Sequence, residues 1–120
     1  MGEEAKTKRY DLEDRTFAFA QNVRKFVKGL GNDSATKEDV KQLVRSSGSV
    51  GANYIEANES LGKKDFLMRI RISRKEAKES RYWLRLLDLD SSEKQKLREA
   101  LQQEATELMN IFGAILKNSQ

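Results

Sequence analysis

The sequence contains no cysteine, no proline and no histidine. Without cysteine there is no disulfide framework and no Cys-based zinc site, which fits a reducing compartment. Without histidine the commonest general base and the commonest metal ligand are both missing, so chemistry would have to come from carboxylates, Lys, Tyr, Ser or Thr. No apolar run approaches the roughly 20 residues needed to span a bilayer. The N-terminus is polar, unlike a secretory signal, and Lys6 stands where a myristoylation pattern after Met-Gly needs Ser or Thr. These absences predict a cytoplasmic protein with no membrane association. A chain of 120 residues is the length of one domain.

Charge is abundant and unevenly placed. The net charge is +4, and residues 63 to 81 carry eight Lys/Arg against three Asp/Glu, while the rest of the chain is close to balanced. The basic character therefore belongs to one segment.

Apolar residues recur at spacings of three and four, and strand-like alternation is absent. Four helices follow. The first runs from about Asp11 to Lys28, with Leu12, Phe19, Val23, Phe26 and Leu30 on one side, and ends at the turn-rich Gly29 to Ser34. The second starts near Thr36, where Thr36 and Asp39 form a plausible capping pair, and carries Val40, Leu43, Val44, Ser47, Gly51, Tyr54 and Asn58 on one face. The third begins after Gly62, with Asp65 in its first turn to complement the helix dipole, and reaches about Leu87. The fourth opens at Asp90-Ser-Ser-Glu93, a capping-box-like start, and aligns Leu97, Leu101, Leu108, Ile111, Phe112 and Ile115. Short connections make neighbours antiparallel. The expectation is an all-α, up-down four-helix bundle over residues 11–120, with residues 1–10 loosely held.

The third helix has three distinct sides at about 100° per residue. Phe66, Ile70, Ser73, Ala77, Ser80 and Leu84 form its core stripe. Arg71, Arg74, Lys78, Arg81 and Arg85 form a ridge of cations about 21 Å long at 1.5 Å rise per residue. Met68, Ile72, Tyr82, Trp83 and Leu86 make a second apolar stripe, with Glu76 and Glu79 among them. A helix in a monomeric bundle needs one apolar stripe, so the second predicts a subunit interface. Phe17, off the first helix's core stripe, is a further interface candidate.

The second helix contains the stretch SSGSVGANYIEA (Ser46 to Ala57), although each interior glycine costs about 1 kcal/mol of helix propensity. Ser47, Gly48, Gly51 and Ala52 put small surfaces at i, i+1, i+4 and i+5. That spacing predicts close approach by a neighbouring helix or by bulky groups such as Phe66 and Trp83; a ligand or a helix break is the other reading.

Three functional readings remain open from the residues. The ridge could bind phosphates, or it could be a face neutralised by acids of the fourth helix such as Glu99, Glu104 and Glu107. Glu56, Glu59, Glu76 and Glu79 have the spacing of a carboxylate cluster for Mg²⁺ in an all-α nucleotide hydrolase. Against that, Glu56, Glu59 and Glu79 point away from the core stripes, and helical ion pairs such as Glu76 with Arg69 or Lys75 account for them more simply. Neither catalytic residues, nor a metal, nor a cofactor is expected. Asn53 and Asn58 lie near packing faces, where they would fix register, and Tyr54 reads as a packing anchor. No aromatics interleave with the ridge, so base-specific recognition is not expected.

Ser49-Val50-Gly51-Ala52-Asn53-Tyr54-Ile55-Glu56-Ala57, then Lys64-Asp65-Phe66, then Lys75 to Leu84 (KEAKESRYWL), resembles the bacterial four-helix-bundle proteins encoded by intervening sequences in 23S ribosomal RNA genes. Asp11-Leu12, Arg15-Thr16 and Ile111-Phe112 extend the resemblance over nearly the whole chain. It implies an antiparallel bundle assembled as a barrel-shaped homopentamer. That family includes the accessory protein of diversity-generating retroelements, a basic pentamer that binds nucleic acid and a reverse transcriptase. The combined expectation is a non-enzymatic homo-oligomer that presents its ridge to RNA or DNA, with a reverse transcriptase as possible partner. The competing expectation is a structural or protein-binding oligomer.

Overall fold

The computed structural model describes residues 2–119, with side-chain surroundings from Leu12 onward. Its helices are α1 (Gly2–Val27), α2 (Ser34–Asn58), α3 (Lys63–Leu86) and α4 (Ser92–Asn118), and no strand occurs among the described residues. They pack into a bundle of 46 × 26 × 19 Å. The α1 backbone is helical from Gly2, ahead of the expected start near Asp11. The loose hold expected of residues 1–10 concerns side chains outside the described residues.

Contacts between side chains set the directions of the helices. Ser46 meets Ser80, Val50 meets Ser73 and Asn53 meets Arg69, so α2 and α3 run opposite ways. Arg98 reaches back to the carbonyls of Leu84 and Leu87, the latter at 2.6 Å, closing the α3–α4 turn by satisfying the carbonyls that end α3. α2 and α3 share the largest interface and α3 and α4 the next; α1 packs on α2 and only lightly on α4, and α1 and α3 sit on a diagonal.

Two helix starts differ from the expected caps. Asp33, not Thr36, caps α2: its carboxylate accepts from the Thr36 N–H at 3.1 Å and from the Thr36 hydroxyl at 2.8 Å. Those bonds hold the Asp33 carboxyl below the ordinary range. Ser91 caps α4, accepting from the Lys94 N–H at 3.2 Å. A reciprocal capping box needs Glu or Gln three residues past the cap, and that place is Lys94, whose Nζ pairs with Asp90 at 3.0 Å instead.

The core runs the length of the bundle. Phe19, Val23, Leu43, Ile70, Leu84, Leu108 and Phe112 are fully buried, and Tyr54 packs its ring 5.9 Å from that of Phe112. The buried arc of α2 is broader than the expected face: Leu43, Ser47, Gly51 and Tyr54 are buried as expected and Ser46, Val50 and Ala57 are buried with them, whereas Val40, Val44 and Asn58 are half-buried. α2 has two neighbours, so its buried arc is wider than a single stripe. On α4, Ala105 and Leu116 fill the core, and Leu97 is exposed.

The interface between α2 and α3 is partly polar. The Ser80 hydroxyl donates to the Glu76 carbonyl at 2.9 Å and shares a 2.8 Å bond with Ser46 Oγ; Ser73 donates to the Val50 carbonyl at 2.9 Å. Buried hydroxyls need such partners, and these exist in one register only.

The stretch around Gly51 packs on α1 rather than on Phe66 or Trp83. A Cβ at Gly51 would lie 2.9 Å from Thr16 Oγ1 and 3.1 Å from Thr16 Cβ, and Gly48 lies beneath the Arg24 guanidinium. Ser47 is buried, bonding to its own helix at the Val44 carbonyl, while Ala52 is exposed and outside this contact.

At the seam between α1 and α4, Arg15 donates to Glu104 at 3.1 and 2.6 Å and to Glu107 at 3.1 Å. Gln103 and then Arg15 hold the Glu107 carboxyl below its ordinary value, and Glu104 raises the Arg15 guanidinium. A carboxyl lowered by folding contributes stability above its unfolded value and loses it as pH falls through the folded one. Arg15→Gln, by breaking the partly buried two-bond fork to Glu104, should cost about 1 kcal/mol at neutral pH. Urea titrations should show the gap between parent and variant narrowing below the ordinary Glu range.

Candidate nucleic-acid interface

The α3 segment Lys63–Leu86 is a strong helix former, rich in Arg, Lys and Leu, and its Ile70, Ser73, Ala77, Ser80 and Leu84 anchor one side in the core. Anchoring that side turns the ridge outward. Arg71, Arg74, Lys78 and Arg85 are exposed, and Arg81 is half-buried, donating to Thr106 Oγ1 of α4 at 3.2 Å. None of the five forms an ion pair with a described carboxylate.

Of the α4 acids that could have neutralised the ridge, Glu99 is exposed and forms no described ion pair, and the other two are engaged elsewhere. Glu104 and Glu107 are held by Arg15 on the α1 side of α4. Glu76, buried, and Glu79 both pair with Arg45 of α2 at 3.2 Å, and not with Arg69 or Lys75. Arg69 donates instead to Asn53 Oδ1 at 3.0 Å, while the Asn53 amide is tied to the Ser49 carbonyl at 2.9 Å. Asn58 donates to Glu13 of α1 at 3.4 Å. Glu56 and Glu59 are exposed, and among the described residues no group of three or more acidic side chains is placed to hold a metal.

Between α3 and α4 the ridge borders a shallow groove of about 390 Å³, lined by Arg71, Arg74, Lys75, Lys78, Met109 and Leu116. Lys75 was not anticipated on this face, although it stands four residues after Arg71 and three before Lys78. The groove's floor belongs to α4, which a helical wheel for α3 does not contain. Gly113 lies between Met109 and Leu116 on the same stripe, and the Arg74 side chain passes over it, Nε 3.7 Å from where a Cβ would be.

The six apolar interface candidates do not form one patch. Met68, Tyr82 and Leu86 are exposed on α3, with Ile72 and Trp83 half-buried beside them; Phe17, 64% exposed, is on α1, the diagonal helix. Tyr82 and Trp83 meet edge to face at 5.2 Å, and Trp83 Nε1 is buried without a hydrogen-bond partner among the described residues. Ile55 and Leu61 are also exposed, and the sequence reading did not single them out.

Fold and surface together define a small basic four-helix bundle. The chain matches the family model of the 23S rRNA-intervening sequence proteins over residues 8–114, and it belongs to that family. It is similar to a crystal structure of a protein of unknown function from the S23 ribosomal protein family of Bacteroides thetaiotaomicron. The two share 31% identity with a TM-score of 0.79, over 92% of this chain and 98% of that one. No curated protein matches the sequence. No described helix is long and apolar enough to cross a membrane.

Proposed function

We propose that the protein is a non-enzymatic homo-oligomer that holds RNA or DNA by its phosphates along the α3 ridge. The observation that carries this is the state of the ridge: five cations in a row without a described carboxylate partner, while Glu104 and Glu107 of α4 are bound to Arg15. Charges left in water on one stripe attract a polyanion and release its counterions. A cytoplasmic setting accords with the lack of cysteine. The retroelement member of the resembled family makes a reverse transcriptase a candidate partner. Binding should weaken steeply with salt and vary little with base sequence, as read by fluorescence anisotropy of labelled RNA and DNA. No binding at low salt would remove this reading in favour of a structural or protein-binding oligomer.

Assembly is supported by the apolar residues left outside the bundle and by the unpartnered Trp83 indole. Two separate patches, on α1 and α3, suit head-to-tail contacts that close into a ring, the pentamer being the expected closure. A ring would multiply the ridge's effect by presenting several copies to one strand. Light scattering should give a particle of about five chain masses of 13.8 kDa each. Trp83→Glu should shift the particle toward the monomer, since a carboxylate would have to be desolvated at the contact. A parent protein that is monomeric at micromolar concentration would overturn the assembly.

A further inference from the structure

The groove between α3 and α4 has a rim and a floor of different chemistry. Arg71, Arg74, Lys75 and Lys78 supply the rim, and Met109 and Leu116 supply an apolar floor with no carboxylate among the lining residues. Simple phosphate binding has no use for that floor. Beside this floor, between Met109 and Leu116 on the same stripe of α4, is Gly113, whose place inside the helix costs about 1 kcal/mol of propensity. The packing does not require it: an added Cβ would come no closer than 3.7 Å to any neighbour, an ordinary contact with the Arg74 side chain. The missing side chain lets Arg74 lie low across α4, at the edge of the apolar floor made by Met109 and Leu116.

We infer that this groove receives an unstacked base of a single-stranded nucleic acid, its face against Met109 and Leu116 and its flanking phosphates on Arg71, Arg74 and Lys78. The inference rests on the phosphate-binding reading above and adds a preference to it. In a duplex the base faces are stacked on one another and the groove has nothing to take, whereas a single strand can turn a base out. A thioether and an isobutyl group replace the usual aromatic platform. Because every base has an apolar face, and the lining residues offer nothing that distinguishes base edges, the contact accepts any base.

The test compares labelled oligothymidylate with an abasic oligomer of equal length, which has the same phosphates and no bases. At one moderate salt concentration oligothymidylate should bind about fivefold more tightly, less than aromatic stacking would give because the floor is aliphatic. Gly113→Leu fills the floor without changing charge, and Leu suits a helix better than Gly. It should erase the gap between oligothymidylate and the abasic oligomer, any shift of the Arg74 side chain altering both affinities alike, with a melting temperature no lower than the parent's. Equal binding of the two oligomers by the parent protein, or a Gly113→Leu variant that keeps the preference, would overturn the base contact while leaving phosphate binding intact. Failure of both oligomers to bind at low salt would overturn the phosphate reading itself and leave an acidic protein segment as the groove's occupant.

Discussion

Changing Arg74 and Lys78 together to Glu is expected to lower affinity for RNA and single-stranded DNA by at least about 100-fold at low salt, since each copy loses two phosphate contacts and gains two repulsive charges. Both side chains are exposed and neither bonds to another element, so the fold should survive, as circular dichroism and thermal melting would show. Arg81 is a poorer choice for reversal because its bond to Thr106 ties it to α4. Neutralising the pair to Ala should flatten the dependence of log K on log salt by about 0.7 for each phosphate lost from a single strand. Reversing Lys41 and Lys96, exposed cations on α2 and α4 that are not part of the α3 ridge, serves as the control and should change affinity much less. A ridge variant that binds like the parent would show that the stripe is only a solvated surface.

The second large effect concerns the fold. Gly51→Ala should destabilise the protein by about 1–2 kcal/mol, because the clash with Thr16 outweighs a propensity gain of about 1 kcal/mol. Thr16 has little freedom to yield: it is 2% exposed, and its hydroxyl donates to the Glu13 carbonyl at 3.0 Å. Gly51→Leu, with more atoms in the same space, should cost about 3 kcal/mol. Combining Gly51→Ala with Thr16→Ala should recover about half of the loss, a coupling of contacting residues that urea denaturation would resolve. If Gly51→Ala were neutral, α1 would have to move off α2 at little cost, and the close approach would not be what excludes a side chain there.

What the sequence made legible follows from the geometry of a single helix. The ridge at 71, 74, 78, 81 and 85 and the core stripe from Ile70 to Leu84 come from spacing on one axis, and both stand in the structure as outward and buried faces. Features that need two axes were not legible. A wheel indicates that Gly51 is a small surface; it does not say that Thr16 of α1 fills the space. Glu76 looked like a partner for its neighbours on α3, yet Arg45 crosses from α2 to meet it, as an antiparallel partner helix brings distant positions closer than the next turn. The groove combines Lys75 on α3 with Met109 and Leu116 on α4, and neither helix is informative without the other. The cap of α2 was misplaced by three residues because Thr36 reads as a cap in its own right, whereas here both its hydroxyl and its N–H donate to Asp33.

The unequal interfaces also bear on the order in which the chain settles during synthesis. α1 leaves the ribosome first, but its side chains have α2 as their main support and only a light contact with α4. The extensive α2–α3 and α3–α4 interfaces join helices adjacent in sequence, so they close through short loops at low entropic cost and can form as soon as each helix is made. The Arg15 clasp to Glu104 and Glu107 spans most of the chain and must wait for the last helix to appear. Until then the bundle is a trough open along one edge, with part of its apolar lining in water, and the Arg15 contact is the latch that shuts it.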